Sequence, residues 1–218
     1  MIRGDTAVRK ITDLREYACF MKMTTSPKTN LMNRLLAGSG NLDCHCRPAY
    51  GFGIASSISL PSVCTPQALA DFEKLVIEGG AVDPEGLGQR IGEASRLLFL
   101  RGSDDKLVGV GALKQPSPAY QDSVFANAQA TVPPDEYPLE LGWVVVAKSH
   151  QGRRLSTRIV GELLPFARNQ NIYATTRADE RVLSFAFDCG FRINGKPFPS
   201  GHGYDLVLYL RNAHDFLR

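Results

Sequence analysis

The feature that most constrains this chain is an apolar stretch that runs through a basic loop into an amphipathic helix. Residues 139–147 form a near-continuous apolar run, which is typical of a strand inside a sheet covered on both faces. The next apolar residues recur at helical spacing, at Leu155, Ile159, Leu163 and Phe166. A buried strand followed directly by such a helix predicts an α/β fold.

The loop between this strand and helix has the chemistry of an anion site. The first turn of a helix carries unpaired amides and a partial positive charge, so a tight loop there can hold a pyrophosphate. Gly152 permits close approach of the backbone. Lys148, Arg153, Arg154 and Arg158 add cations, and guanidinium groups suit phosphate oxygens. A basic helix start that is merely solvated is the alternative.

Regular secondary structure is predicted from Ile58 onward. Thr65 and Pro66 supply an N-cap and a first helical residue, and the stripe that follows predicts a helix ending at Gly79 and Gly80. A second helix is expected after Asp83 and Pro84. Two strands, at 97–100 and 107–113, are expected to pair as a hairpin.

The remaining elements complete the alternation of strands and helices. Residues 114–138 contain several Pro, Ser, Asn and Gln residues, so we expect a long substrate-contacting loop without long regular elements. The later elements are a strand at 172–176, a helix at 179–189 and strands at 191–193 and 206–210. Pro165 should weaken the last turn of the preceding helix.

The sequence predicts a domain at residues 58–218 preceded by a poorly structured extension at residues 1–57. Within the extension, Cys44, His45 and Cys46 resemble half of a metal site, but a second ligand pair at zinc-like spacing is missing. We therefore expect no metal. The odd number of cysteines, 5, favours reduced thiols over a disulfide framework.

Charge and hydropathy restrict the class of partner. Lys and Arg number 25 against 22 Asp and Glu, which is too small an excess to attract nucleic acid. The basic cluster also lacks interleaved aromatic residues for base stacking. No apolar run approaches the roughly 20 residues that cross a bilayer, so we expect a cytoplasmic protein without a membrane partner.

The strand, loop and helix resemble the GNAT superfamily of acyl-CoA N-acyltransferases, whose signature is Q/R-x-x-G-x-G/A between the fourth strand and the third helix. Gln151 matches its first position, Ser156 takes the place of the last small residue, and Arg154 stands where the first Gly belongs. The resemblance covers residues 58–211 and includes the family's GF pair at Gly190 and Phe191. It implies a mixed, mostly antiparallel central sheet, flanked by helices and splayed between strands four and five.

The resemblance also implies an acetyl-CoA site without a metal. The backbone of Val144, Val145 and Val146 would pair with the pantetheine arm. The pyrophosphate would lie on the loop and first helical turn, formed by Gln151, Gly152, Arg153, Arg154, Leu155 and Ser156. Arg154 can offer its backbone amide there provided that its dihedral angles are not left-handed.

Amine acylation needs a group that removes a proton from the nucleophile. Glu140 lies eleven positions before Gln151, where several family members that acetylate lysine place a catalytic Glu. A strand-end Glu in a salt bridge is the alternative. The helical Tyr that many members use to protonate the thiolate is Ala186 here, so Ser184, Tyr204 or water is the candidate acid.

These observations predict an N-acetyltransferase that moves an acetyl group from acetyl-CoA to a primary amine of a small molecule or protein. Two alternatives stay open: transfer of a longer acyl chain, and a non-catalytic member of the fold that binds CoA or a partner protein. We expect no nucleic-acid or membrane partner, and a homodimer is left open.

Overall fold

The computed structural model describes residues 53–167, 169–178 and 189–213. Eight strands occur in this part of the chain: β1 Ala55–Ser59, β2 Arg96–Arg101, β3 Leu107–Lys114, β4 Leu139–Val146, β5 Ile172–Arg177, β6 Arg192–Ile193, β7 Phe198–Pro199 and β8 Asp205–Arg211. The α-helices described are α1 Pro66–Glu78, α2 Leu87–Gly92, α3 Pro118–Asn127 and α4 Leu155–Leu163. Within these residues, no helix combines the length and the apolarity needed to span a bilayer.

The strands form a single twisted sheet in the order β1-β2-β3-β4-β5-β8-β6, and β7 pairs with the outer part of β8. Only the β4–β5 pairing is parallel among those described, and every other neighbouring pair is antiparallel. The predicted mixed, mostly antiparallel sheet flanked by helices is confirmed.

Alternation along the strands divides the core between the two faces of the sheet. In β2, Leu98 and Leu100 pack with Ile159 and Leu163 of α4 on one face. Leu97 and Phe99 pack on the other face with α1 and α2. Tyr173 and Leu208 continue that second face beneath α3. Period-two alternation therefore gives α4 one face of the sheet and α1, α2 and α3 the other.

Strand β1 crosses the predicted boundary between residues 57 and 58. Ala55 lies opposite Arg101 and Ser59 opposite Leu97, so residues 55–57 belong to the sheet. Arg158 of α4 reinforces this edge, because its guanidinium donates to the Ile54 carbonyl oxygen at 3.1 Å and to Ser56 Oγ at 3.1 Å. The folded unit thus starts ahead of the predicted position.

Replacing Arg158 with Met should lower the free energy of unfolding by about 1–3 kcal/mol, because it removes hydrogen bonds from a part-buried cation. Lys106→Met is the control, since that ammonium is exposed beside Asp104. Urea unfolding of both variants checks the prediction. Equal stability of the two variants would contradict a structural role for the Arg158 contacts.

The prediction for residues 114–138 was wrong, because they contain the ten-residue helix α3. Its start resembles that of α1: Ser117 Oγ accepts from the Tyr120 amide, and Pro118 takes the first helical position. The inward face is partly polar, since the buried Gln121 side chain donates to the carbonyl oxygens of Pro134 and Tyr137. That polar residue obscured the apolar period by which helices are recognised.

The other helices agree with the sequence in different degrees. Helix α1 begins after the Thr65 cap as predicted, whereas α2 is short and begins only after Gly86, which has a left-handed φ of 65°. Helix α4 ends at Leu163, and a 3₁₀ turn follows at Leu164–Ala167, as Pro165 indicated. The predicted helix at 179–189 lies almost entirely outside the described residues.

Candidate active site

Strand β4 contains a bulge in its pairing with β3. Val110 lies opposite Val145 and Ala112 opposite Gly142, so β4 contains an extra residue relative to β3. Trp143 lies within the bulge and has a positive φ of 51°. Such a bulge bends its strand and increases its twist.

Strands β4 and β5 separate beyond Glu140, and we call the opening between them the splay. Their parallel pairing consists of Leu139 opposite Ile172 and Glu140 opposite Tyr173. Beyond Glu140, no pairing joins β4 to β5 within the residues that the structure describes. Among the described residues, the edge of β4 from Leu141 to Val146 therefore has no partner strand on this side. A free edge can accept an extended ligand by main-chain hydrogen bonds.

Helix α4 packs closely on β3 beside this opening. A Cβ placed on Gly111 would collide with Cγ2 of Ile159 and would lie 3.2 Å from Cδ1 of Leu163. Glycine at this position therefore lets the helix approach the sheet. The same packing fixes where the first turn of α4 lies relative to β4.

The loop between β4 and α4 has the compact form that the anion site requires. A 3₁₀ turn at Lys148–His150 leads to Gly152, whose φ of 77° is left-handed. The Gln151 amide nitrogen Nε2 donates to the Val146 carbonyl oxygen at 3.3 Å and ties the loop to the end of β4. The first amides of α4 have no intrahelical partners and lie directly after this loop.

An open groove of about 230 Å³ runs along this loop and the adjoining end of β4. Seven of the predicted donor residues line it: Val144, Val146, Gln151, Gly152, Arg154, Leu155 and Ser156. His150, which was not predicted, lines it as well. Val145 differs from its neighbours, because its side chain packs on the α1 face and against Gly79. Arg153 is exposed on the same loop but does not line the groove.

The four predicted cations do not all lie at the loop. Arg158 points away from the loop: its Nε lies 2.7 Å from Glu162 Oε1, and its other nitrogens bind the β1 edge. Its assignment to the anion site was therefore wrong. Lys148, Arg153 and Arg154 are exposed and have no ion pair among the residues that the structure describes. These three side chains supply the positive charge of the loop.

Arg154 does not meet the condition set from the sequence, because its φ of 58° and ψ of 23° are left-handed. It caps α4 in the conformation that glycine adopts without cost. An L-residue pays roughly 1–2 kcal/mol in this region. Arg154 thus retains the backbone shape expected of the replaced glycine while placing a side chain on the groove.

Arg154→Gly should raise the free energy of unfolding by about 0.5–1 kcal/mol, because relief of the left-handed strain exceeds the entropy cost of glycine. Arg153→Gly is the matched control: it lies next in the chain without a positive φ and should lose stability. Guanidinium unfolding measures both signs. Destabilisation by both substitutions would show that Arg154 is not strained.

Glu140 lies in a polar cluster on the sheet face opposite α4, most of which is buried although Tyr120 is 45% exposed. Its side chain is only 3% exposed, and Oε2 lies 2.6 Å from Lys114 Nζ. The Tyr173 hydroxyl donates to the same oxygen at 3.4 Å. Lys114 Nζ also lies 5.1 Å from the centre of the Trp143 ring and 5.6 Å from that of Tyr120. We call these five residues the Glu140 cluster.

The charge of Glu140 affects the two tyrosines around it. It raises the pKa of Tyr120 well above the usual range, with burial as a second cause and an opposing hydrogen bond with Thr175. Burial is the main cause for Tyr173, and the Glu140 charge adds to it, so the pKa of that phenol is also raised. Both hydroxyls are therefore neutral at physiological pH.

Tyr204 lies apart from this cluster, near the carboxyl end of β5. Arg177 lies 4.1 Å above its ring centre, and His202 stacks on it at 6.2 Å. The other candidate acid, Ser184, and the position of the missing tyrosine, Ala186, lie outside the described residues.

Comparison with known proteins identifies the fold family. The sequence profile of the "Acetyltransferase (GNAT) family" matches residues 81–191, just over half of the chain. The chain belongs to the GNAT family. Members of this family use an acyl-CoA donor and an acceptor substrate, so the chain is assigned to the acyltransferases. None of the curated proteins matches the chain significantly.

Solved structures support the same fold. FeeM, an N-acyl amino acid synthase from uncultured soil microbes, is similar with a TM-score of 0.59 and 12% identity over 74% of this chain and 91% of its own. Escherichia coli ElaA gives 0.54 and 15% over 73% and 99%. An acyl-CoA N-acyltransferase from Pseudomonas aeruginosa gives 0.53 and 14% over 72% and 99%. At these identities the likeness concerns the GNAT fold.

The residues present fit an acyl-CoA donor of the GNAT kind. A Cβ on Gly152 would meet nothing within 4 Å, so the loop is open to a ligand at that point. Residues of the loop and of the first turn of α4, among them Arg154, line one groove together with Val144 and Val146 of β4. Among the residues that the structure describes, no group of three or more His, Cys, Asp or Glu could hold a metal ion.

Sequence reasoning missed Lys114, Tyr120 and Tyr173, which surround Glu140. Strand pairing was the signal that could have found two of them. Lys114 ends β3 directly opposite Glu140, and Tyr173 lies opposite Glu140 from β5. Tyr120 lay in the segment expected to be a loop, so its place above Lys114 could not be derived.

Proposed function

We propose that this chain is an N-acetyltransferase that transfers the acetyl group of acetyl-CoA to a primary amine of a small molecule or protein. The observation that carries the proposal is the continuity of the site. The groove of the donor loop leads onto the free edge of β4, and this edge starts beside Glu140.

The donor would be held mainly by main-chain groups. Amides of Gly152, Leu155 and Ser156 at the start of α4 suit the pyrophosphate, and the exposed Arg153 and Arg154 add charge. The free edge of β4 from Val144 to Val146 would bind the pantetheine arm as an additional strand. Strand geometry places Glu140 about 20 Å from Val146 along β4. A pantetheine arm that extends along β4 from Val146 would therefore point toward the Glu140 cluster.

The chemical step is direct attack of the amine on the thioester. The amine nitrogen forms a bond with the carbonyl carbon, the carbon–sulfur bond breaks, and the thiolate leaves. Glu140 is the proposed base that takes the proton lost by the amine, directly or through a water molecule. Its burial beside the start of the splay supports this role.

Tyr204 is the proposed donor of a proton to the leaving thiolate. It lies beside Arg177 at the carboxyl end of β5, the strand that borders the splay. We expect Tyr204→Phe to lower kcat while leaving acetyl-CoA binding unchanged. Normal turnover in this variant would assign the proton to water.

One observation favours the alternative of CoA binding without catalysis. Lys114 is paired with Glu140 at 2.6 Å, which is the salt-bridge role considered for this residue from the sequence. A base engaged in this way must release the cation or share its oxygen with the substrate amine. The segments proposed to contact the acceptor, at 114–138 and 197–204, would decide which amines can do so.

A panel of amines tests the proposed function. The protein is incubated with acetyl-CoA and one amine at a time, and release of the CoA thiol is followed. The amines are small polyamines, aminoglycosides, free amino acids and lysine-containing peptides. Amine-dependent release, with a lower kcat/KM after Arg153→Ala combined with Arg154→Ala, is the expected result. Release only from longer thioesters would support a longer acyl group. Donor binding without release from any combination would support the non-catalytic alternative.

A further inference from the structure

The ammonium group of Lys114 lies where the splay begins, on the sheet face opposite α4. A Cβ on Gly142 would lie 3.1 Å from Lys114 Cε and 3.2 Å from Nζ, so the lysine chain crosses β4 above this glycine. Gly142 follows closely on Glu140, the last residue of β4 that pairs with β5. The lysine nitrogen therefore lies over the start of the free edge of β4.

The surroundings of Lys114 Nζ are those of an amine acceptor site. Glu140 is 2.6 Å away and can receive a proton, while the rings of Trp143 and Tyr120 enclose the nitrogen. The side chain of Lys114 is 14% exposed and thus largely removed from water. A primary amine, a carboxylate and the proposed path of the acyl chain meet at this point.

We propose that Lys114 is itself acylated by the bound acyl-CoA. This inference rests on the proposed function, because it uses the same donor site and the same base. Lys114 first passes a proton to Glu140. The neutral Nζ then bonds to the thioester carbonyl carbon, the carbon–sulfur bond breaks, and CoA thiolate leaves. Loss of the second nitrogen proton to the thiolate completes an amide on Lys114.

Gly142 leaves the space that the Lys114 side chain occupies at this site. Any larger residue there would displace the lysine from the start of the splay, because its Cβ would lie within 3.3 Å of three Lys114 atoms. Acylation would also remove the positive charge that Lys114 holds against Glu140. Glu140 would then lose the cation of its buried ion pair.

Peptide mass spectrometry of the full chain tests the proposal. The purified protein is incubated with acetyl-CoA and digested with trypsin, which cannot cleave after an acylated lysine. Unmodified protein yields residues 107–114 as a peptide, whereas acylated protein yields residues 107–148 joined and heavier by an acetyl group. Lys74, exposed on α1 and outside the lining of the groove, is the internal control for non-enzymatic acylation.

We expect Lys114 to be acylated at a rate that Glu140→Gln lowers by about 100-fold or more, the usual contribution of a general base. Acylation of Lys74 should be unchanged in that variant. Gly142→Ala, with Glu140 intact, should also reduce acylation of Lys114. Circular dichroism and acetyl-CoA binding show that each variant is folded and loaded.

An unmodified Lys114 in wild-type protein that binds acetyl-CoA would overturn the proposal. Transfer to an added amine by the same preparation, measured in a separate assay, would leave the proposed function standing. Modification of Lys114 that is no faster than that of Lys74, or that is insensitive to Glu140→Gln, would also overturn it, because the reaction would then be non-enzymatic.

Discussion

Glu140→Gln should lower kcat for amine acetylation by about 10²–10⁴-fold while leaving acetyl-CoA affinity nearly unchanged. The amide keeps the shape of the side chain but cannot accept the proton of the amine. Glu140 lies on the face opposite the donor groove, so its replacement should not disturb the loop. Initial rates and calorimetry on the same preparation measure the two effects separately.

The ion pair complicates the single variant, because Glu140→Gln leaves the Lys114 cation buried without its carboxylate. Breaking such a pair can cost roughly 3–5 kcal/mol. A double variant, Glu140→Gln with Lys114→Met, removes both charges and should recover much of that stability. If Glu140 is the base, the double variant stays inactive. Recovery of activity with stability would show that Glu140 only holds Lys114.

Glu162→Gln is the matched control for the loss of a paired carboxylate. Glu162 also forms an ion pair, with Arg158 on α4, but lies outside the Glu140 cluster. Its replacement should change kcat by less than about threefold, because a part-exposed pair contributes little. A loss as large as that of Glu140→Gln would point to general destabilisation in both variants.

Gly111→Ala should lower the free energy of unfolding by about 1–3 kcal/mol, because the added methyl group overlaps Ile159 of α4. Relief of the overlap requires the helix to move from β3, and the donor loop begins that helix. We therefore expect weaker acetyl-CoA binding as well. Thermal unfolding and calorimetry measure the two effects, which should occur together.

Gly109→Ala supplies the comparison on the same strand. Its Cβ would lie 3.2 Å from Cδ1 of both Ile159 and Leu100, and these terminal methyl groups can move aside. A smaller loss of stability and unchanged donor binding are expected. If Gly111→Ala behaved like Gly109→Ala, close packing of α4 would not be what positions the loop.

The central strand, loop and helix could be predicted because their signal is local. The apolar run of β4, the small residue at Gly152 and the helical stripe of α4 each follow from residues near in sequence. The GNAT resemblance then supplied the sheet, which the structure confirms. The roles of the donor-loop residues in binding stay predictions.

The surroundings of Glu140 could not be read from the chain, because they depend on strand register. Lys114 and Tyr173 reach Glu140 from strands on either side, at sequence separations that no motif records. For Arg158, closeness in sequence to other cations led to a wrong prediction. Its position near Arg153 and Arg154 suggested a shared role, but the helix turns its side chain toward β1.

Left-handed backbone at two non-glycine residues also escaped prediction. Arg154 adopts the conformation of the glycine it replaces, and Trp143 carries the positive φ of the β4 bulge. Neither residue type signals this geometry, because L-residues other than Asn and Asp seldom adopt it. The conformation belongs to the cap of α4 at Arg154 and to the bulge of β4 at Trp143, and such backbone is common at functional sites.

A calorimetric titration of the full chain with acetyl-CoA tests the account most directly, because the donor loop is the feature on which every later step depends. We predict micromolar binding that weakens about 10-fold or more when Arg153 and Arg154 are both replaced by Ala, as expected when charge-assisted contacts are lost. Lys196→Ala, away from the groove, should leave the affinity unchanged. Absence of binding, or equal affinity in all three proteins, would contradict the assignment of the loop as the donor site.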